Sequence, residues 1–209
     1  MRTHHSTSYD SPMSTARAVD GRTARAQRTR EAVVDALLQL INEGDLRPTA
    51  PRIAERAKVS LRSVFQHFTD LEALYAAATS REIEIIAGMV EPVAAEGSLR
   101  ARVDAFVTQR TRVLEALTAV SRASMLQEPF SAELRRGRDE LLARGRAEVA
   151  RVFRAELDAA PEAEQKELLD TLDAVTTWSF WEHLRARQSL PVKRAQAVMA
   201  RTLLAVLQA

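Results

Sequence analysis

Arg62, Ser63, Gln66 and His67 fall within five residues of one another in a single short stretch, Leu61–His67. On a helix this spacing puts their side chains on one exposed face. Arg and Gln carry the hydrogen-bond donors that read guanine and adenine edges in a DNA major groove. Lys58 and Ser60 stand just before that stretch, where a cation, a hydroxyl and unpaired backbone N–H groups suit a phosphate. Leu61 and Phe65 complete the same helix. The candidate nucleic-acid contacts are therefore Lys58, Ser60, Leu61, Arg62, Ser63, Phe65, Gln66 and His67. The same pattern also fits a plain helical hairpin whose polar residues face water.

The surrounding residues supply the elements that would hold this face. Thr49 is a cap candidate for a first helix, and Pro51 is tolerated in its first turn. Ile53, Ala54 and Ala57 give that helix a small apolar face. Lys58-Val59-Ser60 forms the turn, with Ser60 as N-cap of the second helix, 61–67. Val59 and Val64 have the spacing of a hydrophobic staple. Thr69 is the expected cap of a third helix, with Glu72 in the capping-box position. A helix, a tight turn and a second helix can lay the second helix in a major groove while the first braces it.

The run Ile53–Leu74, IAERAKVSLRSVFQHFTDLEAL, resembles the signature of TetR-family transcriptional repressors. Ile53, Ala54, Ala57, Val59, Ser60, His67, Phe68, Glu72 and Leu74 match. The likeness covers Arg28 to about Tyr75; beyond it, only length and helical content resemble the family. Three positions depart from the pattern. Lys58 replaces the usual turn glycine and is expected in a left-handed conformation at some cost. Phe65 replaces a tyrosine whose hydroxyl often touches the DNA backbone in the family, and Leu71 replaces a lysine. Each loss weakens binding without changing which sequence is read.

The resemblance implies an all-α fold of about nine helices. A three-helix helix-turn-helix DNA-binding domain (22–69) is followed by a larger helical ligand-binding and dimerisation domain (70–209). Residues 1–21 are Ser/Thr-rich without apolar periodicity and read as a disordered tail. Met1 and Met13 both stand as candidate starts. Arg17, Arg22, Arg25, Arg28 and Arg30 form either a solvated arm or one that settles on phosphates.

Thr29 to Asn42 is amphipathic, with Val33, Val34, Leu37, Leu38 and Ile41 on one stripe. A long helix runs from Asp70 to about Val90. It would link head and body mechanically, and the resemblance implies that ligand binding in the body shifts it. Further helices are expected over 99–119, from Ser131 to about Leu157, over 161–187 and over 191–208, with a short apolar segment at 120–126. The last two helices either close the monomer core or pair with a second copy. The resemblance implies a homodimer through them.

For a small-molecule site the large side chains Phe106, Met125, Phe153 and Trp178 are candidates, with Arg110 and Thr176 as polar partners. Gln109 and His183 are further polar candidates. Each of the large residues fits ordinary core packing as well, Trp178 and Trp181 above all. The expected ligand is apolar or amphipathic.

The 209 residues are 46% hydrophobic, enough for a sizeable core. There is no cysteine, hence no disulfide framework or thiolate metal site. No cofactor, metal site or catalytic residue is expected. No His-Glu-x-x-His, Gly-x-Ser-x-Gly or Gly-rich phosphate loop occurs. No 18-residue uncharged apolar run or signal core is present, so a cytoplasmic protein without a membrane span is expected. Net charge is +2, yet residues 1–68 hold 11 Lys/Arg against 7 Asp/Glu and the remainder 19 against 21. A basic head on a slightly acidic body fits a regulator that meets DNA at one end. The different-class alternative is an all-helical ligand-binding or interaction protein that does not select DNA.

Overall fold

The computed structural model describes the backbone of residues 13–208, and side chains from residue 23 onward except that of residue 89. Helix α1 spans Met13–Asn42, α2 Ala50–Ala57, α3 Leu61–His67 and α4 Leu71–Met89. The body follows with α5 (Leu99–Gln127), α6 (Ala132–Val152), α7 (Arg154–Ala159), α8 (Glu162–Ala174), α9 (Trp178–Glu182) and α10 (Val192–Leu207). No strand occurs among the described residues. The fold is all-α, as expected.

Helix α1 starts before the amphipathic segment. The stretch 13–21, expected to lack order, is helical, and the first twelve residues lie outside the described ones. Once a helix is nucleated, extension fixes one residue per bond, and Ala and Arg are good helix formers. The apolar stripe of α1 is buried: Val33, Leu37, Leu40 and Ile41 are almost fully enclosed. They meet Ile53 and Ala54 of α2, Val64 of α3, Phe68, and Leu74 and Tyr75 of α4 in one cluster. Val120 and Ala123 of α5 and Leu134 of α6 join it. The head core thus continues into the base of the body. Tyr75 adds a hydrogen bond from its hydroxyl to the carbonyl of Leu46, 3.3 Å.

A second cluster holds the body. Phe106, Phe153, Leu172, Trp181, Met199 and Leu203 are wholly buried there. Phe106 and Phe153 meet edge to face at 5.3 Å. Arg102 is buried beside them. It donates to Val152 O (2.8 Å), to Gly97 O (3.3 Å) and, through both terminal nitrogens, to the Glu156 carboxylate. That ion pair holds the Glu156 carboxyl below its usual range.

Several helix boundaries differ from those expected. Thr49 occupies the N-cap position of α2, but its hydroxyl makes no cap bond. Asp70, not Thr69, caps α4: its carboxylate accepts from Ala73 N at 2.8 Å, and an ionised acceptor outcompetes a hydroxyl. Residues 99–127 form one helix, since no Gly or Pro interrupts them before Pro129. The stretch expected as a helix over 161–187 breaks at Val175–Thr177. There Thr176 Oγ1 donates back to Leu172 and Asp173 carbonyls (3.0 Å each), and Thr177 caps α9 by accepting from Phe180 N at 3.3 Å. Such side-chain bonds compete with the helix ladder. His183–Arg187 then makes a π-helical turn that ends at Ser189, with φ +54°.

Candidate nucleic-acid interface and ligand cavity

The turn between α2 and α3 has the expected left-handed residue. Lys58 adopts φ +55° and ψ +42°, its N–H bonds Glu55 O (3.1 Å), and Val59 N bonds Ala54 O (3.0 Å). Ser60 then caps α3, its hydroxyl accepting from Ser63 N at 3.1 Å. Val64 and Phe68 are buried on the inner side of α3, and Val59 packs against the same cluster. This fixes the rotation of α3 about its axis.

The outer side of α3 is therefore Leu61, Arg62, Phe65 and Gln66, all exposed, with Ser63 and His67 half-buried at its flanks. Phe65 keeps 48% of its surface open. Among the described residues, Arg62, Gln66 and Lys58 have no side-chain partner. Lys58 and Ser60 are exposed at the helix start. The eight candidate residues thus lie together on one surface. Leu71 instead packs against the head core, so the residue in place of the usual lysine has become an apolar anchor.

The head is clipped at its edges by ion pairs. Arg56 donates twice to Glu43 at 2.7 Å, tying α2 to the end of α1 and holding the Glu43 carboxyl below its usual value. Arg52 meets Asp45 at 2.8 Å. The Arg30 guanidinium lies 4.9 Å over the Phe68 ring.

In the body, a cavity of about 260 Å³ lies between α4, α5, α6 and the α8–α9 break. Ile83, Ile86, Ala87 and Val90 of α4 form one wall; Val113, Leu114 and Leu117 of α5, Leu141 and Leu142 of α6, and Trp178 form most of the rest. Arg110, Arg144, Glu148, Asp173, Thr176 and Thr177 are its charged and polar members. Of the expected ligand residues, Arg110, Thr176 and Trp178 come together here. Phe106 and Phe153 instead fill the body core, which their edge-to-face pairing explains. Met125 is 53% exposed near the end of α5 and is absent from this wall, because the uninterrupted helix carries it past the cavity.

Gln109 also lies off this cavity, its amide donating to Glu91 O. His183 pairs with Gln188 at 3.1 Å, while Glu182 takes Arg122 (2.9 and 3.0 Å). Trp178 Nε1 donates to Thr118 Oγ1 (3.2 Å) and Trp181 Nε1 to Glu115 Oε1 (2.7 Å), so both indoles anchor α9 to α5. The α4 wall residues were not singled out from the sequence. Their helical periodicity marks them as inward, but periodicity does not separate a cavity wall from a packed contact.

No protein-family model and no curated protein sequence matches this chain. Solved structures do. A transcriptional regulator from Rhodococcus sp. Rha1 superposes with TM-score 0.64 at 18% identity, over 88% of this chain and 96% of that one. A protein from Pseudomonas aeruginosa PAO1 assigned as a transcriptional regulator gives 0.63 at 18%, over 86% and 90%. A protein from Mesorhizobium loti MAFF303099 assigned as a TetR-family transcriptional regulator gives 0.63 at 16%, over 88% and 97%. The chain has the fold of these proteins along nearly their whole length. No helix among the described residues is long and apolar enough to cross a membrane.

Proposed function

We propose that this chain is a transcriptional regulator of the TetR type, a dimeric repressor that binds a palindromic operator and is released by a small apolar or amphipathic ligand. The observation that carries the reading is the surface of α3. A helix held in rotation by Val64 and Phe68 and capped by Ser60 presents Arg62 and Gln66 unpaired to solvent. Arg62, Ser63 and Gln66 meet base edges, with Leu61 beside them; Lys58, Ser60, Phe65 and His67 work at the sugar-phosphate backbone. The head is residues 22–69, and residues 70–209 are the ligand-binding and dimerisation domain.

One reading helix per chain needs a second copy to span half-sites about 34–36 Å apart. The outer sides of α8 and α10 suit that pairing, with Leu168, Leu204, Val206 and Leu207 left half-exposed. Ligand release follows from α4. Its first turns belong to the head core and its last turns wall the cavity, while Thr79 Oγ1 and Ser124 Oγ (3.0 Å) fasten its middle to α5. A ligand that separates Ile86 and Val90 from α5 and α6 tilts α4 and changes the spacing of the two α3 helices. Selection of random duplex DNA by the purified protein at about 150 mM salt tests this. Enrichment of a two-fold symmetric site supports the reading. Binding without enrichment, fading smoothly with salt, leaves a helical ligand-binding protein that does not select DNA.

A further inference from the structure

The cavity is apolar on most of its wall, yet it holds a buried guanidinium that its neighbours do not saturate. Arg110 is 9% exposed. Its Nη2 donates to Gly145 O and to Glu148 Oε2, both at 3.2 Å, the long end for charge-assisted bonds. Its Nε is buried with no acceptor, and the cation rests 4.9 Å over the Phe106 ring. No protein acceptor meets Nη1. A guanidinium offers five N–H donors; here Nη2 is taken, Nε is buried without a partner, and Nη1 is unpaired among the described residues.

Gly145 makes room for it. A Cβ at that position would sit 3.0 Å from Arg110 Nη1. Glycine in a helix interior costs roughly 0.5–1 kcal/mol against alanine, and here it leaves space beside the guanidinium. The other charged groups around the cavity are only partly paired. Asp173 and Asp170 share Arg146 at 3.5 and 2.5 Å, Glu148 takes one edge of Arg110, and Arg144 stands exposed at the rim without an ion pair. Burial pulls the Arg110 pKa down against the attraction of Glu148 and Asp173, which marks a cation whose neighbours do not repay its desolvation.

We infer that the cavity takes a small amphipath with a hydrocarbon body and one terminal carboxylate, the carboxylate bound by the unpaired Nη1 of Arg110 and the body lying between Ile86, Val90, Leu117 and Trp178. This rests on the reading of the body as a ligand-binding domain and adds the chemical class of the ligand. A carboxylate accepts from Nη1 and brings the negative charge that the buried guanidinium lacks, which a neutral amide or a cationic amine does not. About 260 Å³ lies just below the usual range of ligand pockets, so the body is short.

The test is a set of matched trios: straight-chain and phenyl-terminated carboxylates of about six to twelve carbons, with the primary amide and the amine of each. The full-length protein is titrated with each compound by calorimetry and by intrinsic tryptophan fluorescence, to which Trp178 and Trp181 both contribute. At least one carboxylate is expected to bind tenfold or more tighter than its own amide and amine. Arg110→Met is expected to bring carboxylate and amide within twofold of each other, and Arg110→Lys to keep part of the preference. Circular-dichroism melts confirm that each variant is folded; should Arg110→Met not fold, Arg110→Lys and Gly145→Ala, expected to weaken the carboxylate only, carry the comparison. Amides or amines binding as tightly as carboxylates would overturn the inference. So would silence across the whole set, or a carboxylate preference undiminished in Arg110→Met or, should that variant not fold, in both Arg110→Lys and Gly145→Ala. Operator selection separates the two ideas: a selected operator with no carboxylate binding sinks the ligand class alone, and carboxylate binding with no selected operator sinks the regulator reading alone.

Discussion

Replacing Lys58 by glycine should make the protein more stable and its DNA binding less salt-dependent. Lys58 sits at φ +55°, ψ +42°, a conformation that costs a residue with a Cβ roughly 1–2 kcal/mol. Glycine removes that cost, but the unfolded chain gains backbone freedom worth roughly 0.5–1 kcal/mol. The two backbone bonds of the turn, Lys58 N to Glu55 O and Val59 N to Ala54 O, do not involve the side chain, and the ammonium has no intramolecular partner to lose. The net gain is about 0.5–1 kcal/mol, or roughly 1–4 °C in Tm for a chain of this length. Differential scanning calorimetry reads it directly. On operator DNA, one lost phosphate contact per protomer lowers the slope of log K against log salt by about 0.9 per protomer. A fall in Tm would refute the claim of backbone strain. An unchanged slope would remove Lys58 from the phosphate contacts.

Arg102→Met leaves the Glu156 carboxylate without its main partner and should cost about 3 kcal/mol, the lower end for a broken buried pair because Glu156 keeps some water. Adding Glu156→Gln should recover much of it, as denaturant unfolding of the double variant will tell. Ser60→Ala removes the α3 cap bond to Ser63 N and should lower stability by about 0.5–2 kcal/mol, measured by the same unfolding curves, and weaken all DNA sequences alike. Burial raises the Tyr75 hydroxyl from 10.0 to about 12. Because the fold favours the neutral form, its contribution is full below pH 10 and is lost as pH rises towards 12. Unfolding free energies across pH 9–12 should fall along that window, and fall less in Tyr75→Phe.

The parts that could be read from the sequence were those specified by near neighbours. Ser60, Val59 and Val64 set the start of α3 through a cap and a staple three to five residues apart, and the left-handed Lys58 was implied by the resemblance, which has a glycine at that turn position. The long α4 showed in unbroken apolar periodicity. Competing local signals were harder. Thr69 and Asp70 are adjacent cap candidates, and the ionised side chain wins. The break inside 161–187 depends on Thr176 and Thr177 turning back on carbonyls, which a stretch of helix-compatible residues does not announce. The cavity was legible only in part. Arg110, Thr176 and Trp178 stood out by residue type, but Phe106 and Phe153 are large aromatics like Trp178 and meet edge to face in the core. Met125 left the wall because α5 runs straight on past it. Gly145 gained meaning only when α6 placed it against Arg110.

The most direct trial of the account compares selected DNA sites for the native protein and Arg62→Ala in parallel at about 150 mM salt. The account predicts a two-fold symmetric site for the native chain, with half-sites about 34–36 Å apart. In Arg62→Ala it predicts a loss of about 1–3 kcal/mol and relaxed preference at one position in each half-site. A site whose preferences are unchanged in the variant, or no selected site for the native chain, would contradict the claim that α3 reads bases.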